Sequence, residues 1–200
     1  MAFDYAIALT GGIATGKSSA TILLSLYGFR FIDADKIAHD MLDIHHEKIA
    51  DLFGLEYVID GKVDRTKLGV LVFADRAKRE ALESLLHPLI YDEISLQAEE
   101  QHRFKKPYII DIPLFFEGGR YPIKESIVIY TPKAKQLERL MRRDGYSKEE
   151  AMRRIDSQMD IEEKCRQATY VVDNSADLKQ LQYECDRVKD EILSHKRGPQ

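Results

Sequence analysis

Short, nearly continuous apolar runs alternate with longer stretches of helical spacing along this chain. The first run, Tyr5-Ala6-Ile7-Ala8-Leu9-Thr10, predicts a buried strand. From Ser18 to Tyr27 the period changes. Ile22, Leu23 and Leu26 fall on one helical face, and Gly28 stands where a left-handed residue ends a helix. Phe29-Arg30-Phe31-Ile32 predicts a second short strand, ending in Asp33-Ala34-Asp35. Residues 36 to 104 are polar and helix-rich, with a turn expected at Asp60-Gly61 and a helix N-cap at Asp64. Tyr108 to Ile112 is a buried-strand pattern stopped by Pro113. Ile127 to Tyr130 is another, followed by Thr131-Pro132, which reads as N-cap and first helical residue. Ser147-Lys148-Glu149-Glu150 is a capping box for the next helix. Tyr170-Val171-Val172 is a last short strand, ending at Asp173-Asn174. A final helix is expected from Asp177 to Leu193, before a basic tail containing Gly and Pro that should fray.

Apolar strands separated by helices predict an α/β fold with a parallel sheet covered on both faces. In such sheets ligands bind beyond the carboxyl ends of the strands. Asp33 and Asp35, Asp111, and Asp173 with Asn174 all fall at those ends. The pattern therefore gathers its chemistry at one edge of one sheet.

Composition narrows the class. Two hundred residues suit one domain, 1–200, with residues 36–104 inserted into it. A net charge of −4 gives no global reason to bind nucleic acid. The apolar runs are too short to span a membrane, and no signal-peptide pattern opens the chain. The two cysteines, Cys165 and Cys185, form no metal-ligand cluster and suit a reducing cytoplasm.

The decisive motif lies between the first strand and first helix. Gly11-Gly12-Ile13-Ala14-Thr15-Gly16-Lys17-Ser18 matches G-x-x-x-x-G-K-[ST], the phosphate-binding P-loop. Glycines let successive N–H groups curl around a polyphosphate at a helix N-terminus. Lys17 can place its charge between the β- and γ-phosphates, and Ser18 can hold Mg²⁺. Asp111, at a strand end, is either a Mg²⁺-binding carboxylate of the Walker-B kind or a solvated strand-end aspartate. If the strand before them continued, Asp33 and Asp35 would point the same way, one orienting Mg²⁺ and the other receiving a hydroxyl proton. An Asx-type turn or a helix N-cap before Lys36 explains either aspartate as simply. Glu117 either meets substrate or opens a loop, and His87-Pro88 is either a polar turn or a substrate contact. Leu114, Phe115 and Phe116 read as core or pocket wall. Residues 133–160 carry Arg139, Arg142, Arg143, Arg153 and Arg154 about a break at Asp144-Gly145-Tyr146. Arg139 and Arg143 share one helical face. Such a helical pair is either a lid over ATP phosphates or a solvated hairpin whose arginines have acidic partners.

Taken together, these motifs resemble the dephospho-CoA kinase family over nearly the whole chain. The resemblance rests on Leu9 to Ser18, Ile32-Asp33-Ala34-Asp35, His87-Pro88-Leu89-Ile90, Asp111 to Glu117, and the series Arg139, Arg143, Gln158. Ala14-Thr15 departs from the Gly-Ser often found in the family, and Ser19 from a common Thr. Both changes are expected to be tolerated, because backbone amides bind the phosphate. The resemblance implies transfer of the ATP γ-phosphoryl group to the ribose 3′-hydroxyl of dephospho-CoA, the last step of coenzyme A synthesis. It implies Asp35 as the base, with Lys17, Arg139 and Arg143 as the other catalytic residues. Gly12, Ala14, Thr15, Gly16, Lys17, Ser18 and Ser19 would bind the nucleotide, with Asn174 near adenine. Thr10, Asp33, Asp35, His87, Leu114 and Glu117 would meet the acceptor. Ser18, Asp33 and Asp111 would serve Mg²⁺. The expected protein is a cytoplasmic monomer, at most weakly self-associating, with no nucleic-acid or membrane partner. A different P-loop kinase, acting on a nucleoside or small metabolite, would share everything but the acceptor region. A nucleotide-dependent switch is disfavoured, since no guanine-recognition motif of the Asn-Lys-x-Asp type is present.

Overall fold

The structure, a computed structural model, describes residues 2–195. The predicted basic tail from residue 196 onward lies outside the described residues. The chain divides into two compact units, residues 1–32 with 98–200, and residues 33–97.

The larger unit is built on a five-stranded sheet. Its strands are β1 (Ala6–Gly11), β2 (Phe31–Asp33), β5 (Tyr108–Asp111), β6 (Glu125–Tyr130) and β7 (Tyr170–Asp173), in the order β2-β5-β1-β6-β7. β1 pairs in parallel with both β5 and β6, and β6 with β7. The first strand thus occupies the centre, which explains why all six of its residues are buried. Thr10 is tolerated there because its hydroxyl donates to the Pro113 carbonyl at 2.8 Å.

Helices α1 (Lys17–Leu26) and α10 (Leu178–His195) close one core. Leu181, Cys185, Val188 and Ile192 form the buried stripe of α10 and meet Ile7, Leu9, Ile127, Ile129 and Leu24. Each fully buried side chain of this kind is worth about 1.5–3 kcal/mol relative to exposure. Gly28 has φ 92° just after α1, the left-handed stop that its position predicts. The unit also contains α6 (Phe115–Gly118), α7 (Lys133–Asp144), α8 (Lys148–Asp156) and α9 (Ile161–Gln167). Gly145 ends α7 in a left-handed conformation, and Ser147 caps α8 by accepting from the Glu150 N–H.

The smaller unit starts with α2 (Ala34–Ile44) and α3 (His46–Phe53). A two-stranded hairpin of β3 (Val58–Ile59) and β4 (Lys62–Val63) follows, then α4 (Arg65–Ala74) and α5 (Arg76–His102), which runs on past residue 97. Asp60 and Gly61 both have positive φ, 49° and 72°, as a two-residue type I′ hairpin demands. Asp64 caps α4 through the Lys67 N–H. Ile49, Phe53, Val63 and Leu68 form a small core of their own.

Two local expectations are corrected here. No turn occurs at His87-Pro88; Pro88 lies inside α5, whose 27 residues outweigh the loss of one N–H. Thr131 is not a helix cap. Pro132 takes that position with extended backbone, and the Thr131 hydroxyl is drawn into the buried interior.

Candidate active site

The P-loop emerges from β1 and turns directly into α1. Gly16 has φ 89°, and a Cβ there would collide with the Asn174 carboxamide. A Cβ at Gly12 would lie 2.7 Å from Gln136 Oε1, so close packing also keeps this position bare. Ala14 is the exception, a non-glycine residue at φ 59°. The Ala-for-Gly departure therefore carries backbone strain of about 1–2 kcal/mol, which amide binding does not remove.

Behind the loop lies a layer of buried and half-buried polar groups, each with a partner. Thr15 donates its hydroxyl to the Gly12 carbonyl at 2.9 Å. Asn174 Nδ2 donates to the Thr15 carbonyl at 2.8 Å. Thr131 Oγ1 lies 3.1 Å from the Thr15 carbonyl and 3.0 Å from that of Asn174. Gln136 Nε2 donates to the Thr131 carbonyl at 2.8 Å. Gln158 Oε1 accepts the Ile13 N–H at 2.8 Å. The strand ends of β6 and β7 and the start of α7 therefore fix the loop before any ligand arrives.

At the front, Lys17 Nζ lies 2.5 Å from Asp111 Oδ1, and Thr21 Oγ1 lies 3.4 Å from Oδ2. The ammonium thus balances the carboxylate that ends β5. Ser18 is exposed at the start of α1. No group of three or more His, Cys, Asp or Glu side chains is arranged to hold a metal among the described residues. A hydroxyl and one carboxylate do suit Mg²⁺, which keeps waters and takes most of its remaining ligands from substrate phosphates.

Beside the loop opens a cavity of about 580 Å³. Ala14, Gly16 and Ser19 line one side, and Arg139, Arg142, Arg143 and Asn174 another. The two arginines expected to act together differ. Arg139 is half-buried, and its guanidinium donates to Thr131 Oγ1 at 3.1 Å and the Asn174 carbonyl at 2.9 Å. Arg143 is exposed and forms a bidentate pair with Asp144, both bonds at 2.8 Å. That pairing raises its pKa above the ordinary value. Arg153 and Arg154 both pair with Glu150.

Asp33 ends β2, but the strand does not continue to Asp35. Asp33 is the N-cap of α2, its Oδ1 accepting the Lys36 N–H at 2.9 Å, while exposed Asp35 lies in the first helical turn. Helix geometry therefore separates their directions, contrary to the two-residue strand period. Leu114 is exposed just before α6, and His87 is half-buried in α5. Glu117 Oε1 accepts the Met159 N–H at 3.0 Å and pairs with Lys164 at 2.8 Å. Lys164 and Gln136 are two buried polar residues at the loop that sequence reasoning missed; nothing in the charged run around Lys164 marks it as buried. Burial pushes the thiols of half-buried Cys165 and buried Cys185 up to about 11 and 12, away from the thiolate form.

Comparison with known proteins decides the family. The dephospho-CoA kinase family model matches residues 5–180. The chain belongs to the dephospho-CoA kinase family. A dephospho-CoA kinase from Sulfurimonas denitrificans is 56% identical over 192 residues, covering 96% of each chain. One from Helicobacter hepaticus is 49% identical over 186 residues, covering 91% of this chain and 90% of the relative. Among solved structures, the dephospho-CoA kinase from Campylobacter jejuni superposes with a TM-score of 0.71 at 36% identity, covering 94% and 97% of the two chains. A Thermus thermophilus protein gives 0.78 at 33% identity, covering 95% and 96%. Membership makes this chain a nucleotide-binding kinase, a transferase of coenzyme A synthesis. No helix among the described residues is long and apolar enough to cross a membrane.

Proposed function

We propose that this kinase moves the γ-phosphoryl group of Mg²⁺-bound ATP to the ribose 3′-hydroxyl of dephospho-CoA. The observation that carries this reading is the charge arrangement at the P-loop. A lysine is held against a strand-end carboxylate at the mouth of a glycine cradle, beside a cavity lined by three arginines. Phosphoryl transfer asks a protein chiefly for positioning and charge neutralisation, and these groups supply both.

In the proposed mechanism the amides of residues 12–19 take the ATP phosphates. Lys17 leaves Asp111 for the β- and γ-oxygens. Ser18, Asp33 and Asp111 would hold Mg²⁺. Bound there, the cation would neutralise charge on the phosphate oxygens. Asp35 accepts the 3′-hydroxyl proton as the ribose oxygen bonds to the γ-phosphorus and the bond to the ADP oxygen breaks. Thr10, His87 and Leu114 contribute to acceptor binding, residues 36–104 form the acceptor-binding insertion, and 133–160 act as a lid. Arg139 and Arg143 stabilise the transferring group, and Asn174 lies near adenine. The enzyme works as a cytoplasmic monomer, without nucleic-acid or membrane partners. Its net charge of −4 and its two free cysteines support this. The test is Mg²⁺-dependent ADP release with dephospho-CoA, adenosine and common nucleosides as competing acceptors. Stimulation by dephospho-CoA alone is expected; equal stimulation by several nucleosides would overturn the acceptor assignment.

A further inference from the structure

Lys164 is fully buried, with no exposed side-chain surface. A buried ammonium is costly unless paired and hydrogen-bonded, so its partners are informative. Nζ donates to the Gly11 carbonyl at 2.9 Å, 153 residues away in sequence, and pairs with Glu117 Oε1 at 2.8 Å. Gly11 is the first residue of the phosphate-binding octet. Its backbone is already confined, since an added Cβ would lie 2.7 Å from Thr15 Oγ1 and 3.0 Å from the Ile129 carbonyl. The same Glu117 oxygen accepts the Met159 N–H at 3.0 Å, and neighbouring Gln158 accepts the Ile13 N–H at 2.8 Å. The short segment between α8 and α9 therefore grips the loop at residues 11 and 13, using α9's lysine and α6's glutamate as the bridge.

We infer that Lys164, with Glu117 as its counter-charge, is a positioning residue for nucleotide phosphate binding. It fixes the direction of the Gly11 peptide, and through it the orientation of the N–H groups that follow. A peptide plane is rigid, so holding its carbonyl also sets the direction of the next amide, that of Gly12. Small misplacement of such donors is expensive in phosphoryl transfer, where alignment supplies much of the rate. The pair also explains why a charged residue lies in α9 facing inward. A neutral apolar residue of similar size would pack there but leave the Gly11 carbonyl and the Glu117 carboxylate without this donor.

This inference rests on the P-loop being the ATP phosphate site, and the experiment separates the two. Calorimetric ADP affinity and both KM values are measured for Lys164→Met, Glu117→Gln, Lys164→Met with Glu117→Gln, and Lys17→Ala. The double variant removes both charges, so it restores folding if the single variant is lost to an orphaned carboxylate. The expected result is an ADP Kd and an ATP KM raised about ten-fold or more in the double variant, one hydrogen-bonded charge being worth about that much. The dephospho-CoA KM at saturating ATP, compared with that of Glu117→Gln alone, should stay within about two-fold, because a misaligned phosphate loop leaves acceptor binding intact. Wild-type ADP affinity in a folded double variant overturns the role of Lys164. So does a parallel rise in both KM values that tracks a fall in Tm, which marks a purely structural pair. Unchanged ADP binding in Lys17→Ala would instead remove the P-loop reading itself.

Discussion

The larger unit surrounds its phosphate loop with buried polar groups that are already partnered, whereas the smaller unit keeps its two candidate aspartates, Asp33 and Asp35, on the surface. Thr10, Thr15, Thr131, Gln136, Lys164 and Asn174 are all buried, and each has a hydrogen-bond partner within the larger unit. In the smaller unit Asp33 and Asp35 are both exposed, and Ile49, Phe53, Val63 and Leu68 form a small apolar cluster. Phe73, Leu55 and Val70 are 88%, 81% and 69% exposed there, although each is large and apolar. The contrast teaches where preorganisation resides. The cradle for the phosphate is complete in the fold, while the proposed proton acceptor is held by nothing but its helix. Damage to the cradle should cost binding and stability together; damage at Asp35 should cost turnover alone.

The strongest test of this division is Lys17→Ala. The ammonium both balances Asp111 and is the proposed contact to the transferring group, so turnover should fall about 10³–10⁵-fold, the range for a cation at the transferring phosphoryl. Steady-state kinetics with a thermal melt will check it, and a folded variant with near-normal turnover would break the comparison at its centre. Asp35→Asn comes next. It keeps size and cannot accept the proton, so turnover should drop about 10²–10⁴-fold. ADP affinity and Tm should be unchanged, because the side chain is exposed and no cradle group depends on it. Loss of ADP binding in that variant would move Asp35 to a metal or structural role.

Arg139→Ala and Arg143→Ala sharpen the comparison within the proposed lid. The first strips donors from Thr131 and the Asn174 carbonyl, so it should reduce turnover by about 10²-fold and lower Tm as well. The second loses only an exposed pair with Asp144, worth at most about 1 kcal/mol, and should lower Tm less than the first while slowing transfer less. Equal effects on Tm would show that the two arginines are not divided as their contacts suggest. The smallest effect is expected for Ala14→Gly. Relief of the left-handed strain outweighs the greater freedom of glycine in the unfolded chain by about 0.5 kcal/mol. A rise in Tm of about 1–2 °C in a scanning melt would register it.

Much of this architecture is legible in sequence because its signals are local. The strand–glycine–helix succession around residues 6–26 and the Asp60-Gly61 turn each depend on neighbours a few residues apart. What escaped depends on distant partners. Thr131 reads as a helix cap because Thr before Pro usually is one, yet carbonyls of Thr15 and Asn174 compete for its hydroxyl and win. Asp33 does end a strand and is also the helix N-cap that its sequence offered; what escaped is that Asp35 already lies in the helix, not on a continued strand. The helix begins at Ala34 once Asp33 caps it. Lys164 lies in a charged run, where sequence gives no sign that one member points inward.

The central place of β1 has a consequence for the order of events during synthesis. The octet is complete by residue 18, but the strands that flank β1 start at residues 108 and 125. Its backbone carbonyls at Gly11 and Thr15 receive side-chain donors from Lys164 and Asn174. A ribosome adding roughly 5–20 residues per second needs about 10–30 s to cover the interval between Thr15 and Asn174. Throughout that time the nascent chain carries the signature of a nucleotide-binding protein without the shape of one. The first functional motif translated is thus among the last to be finished, and an apolar strand waits uncovered until the second half of the chain arrives.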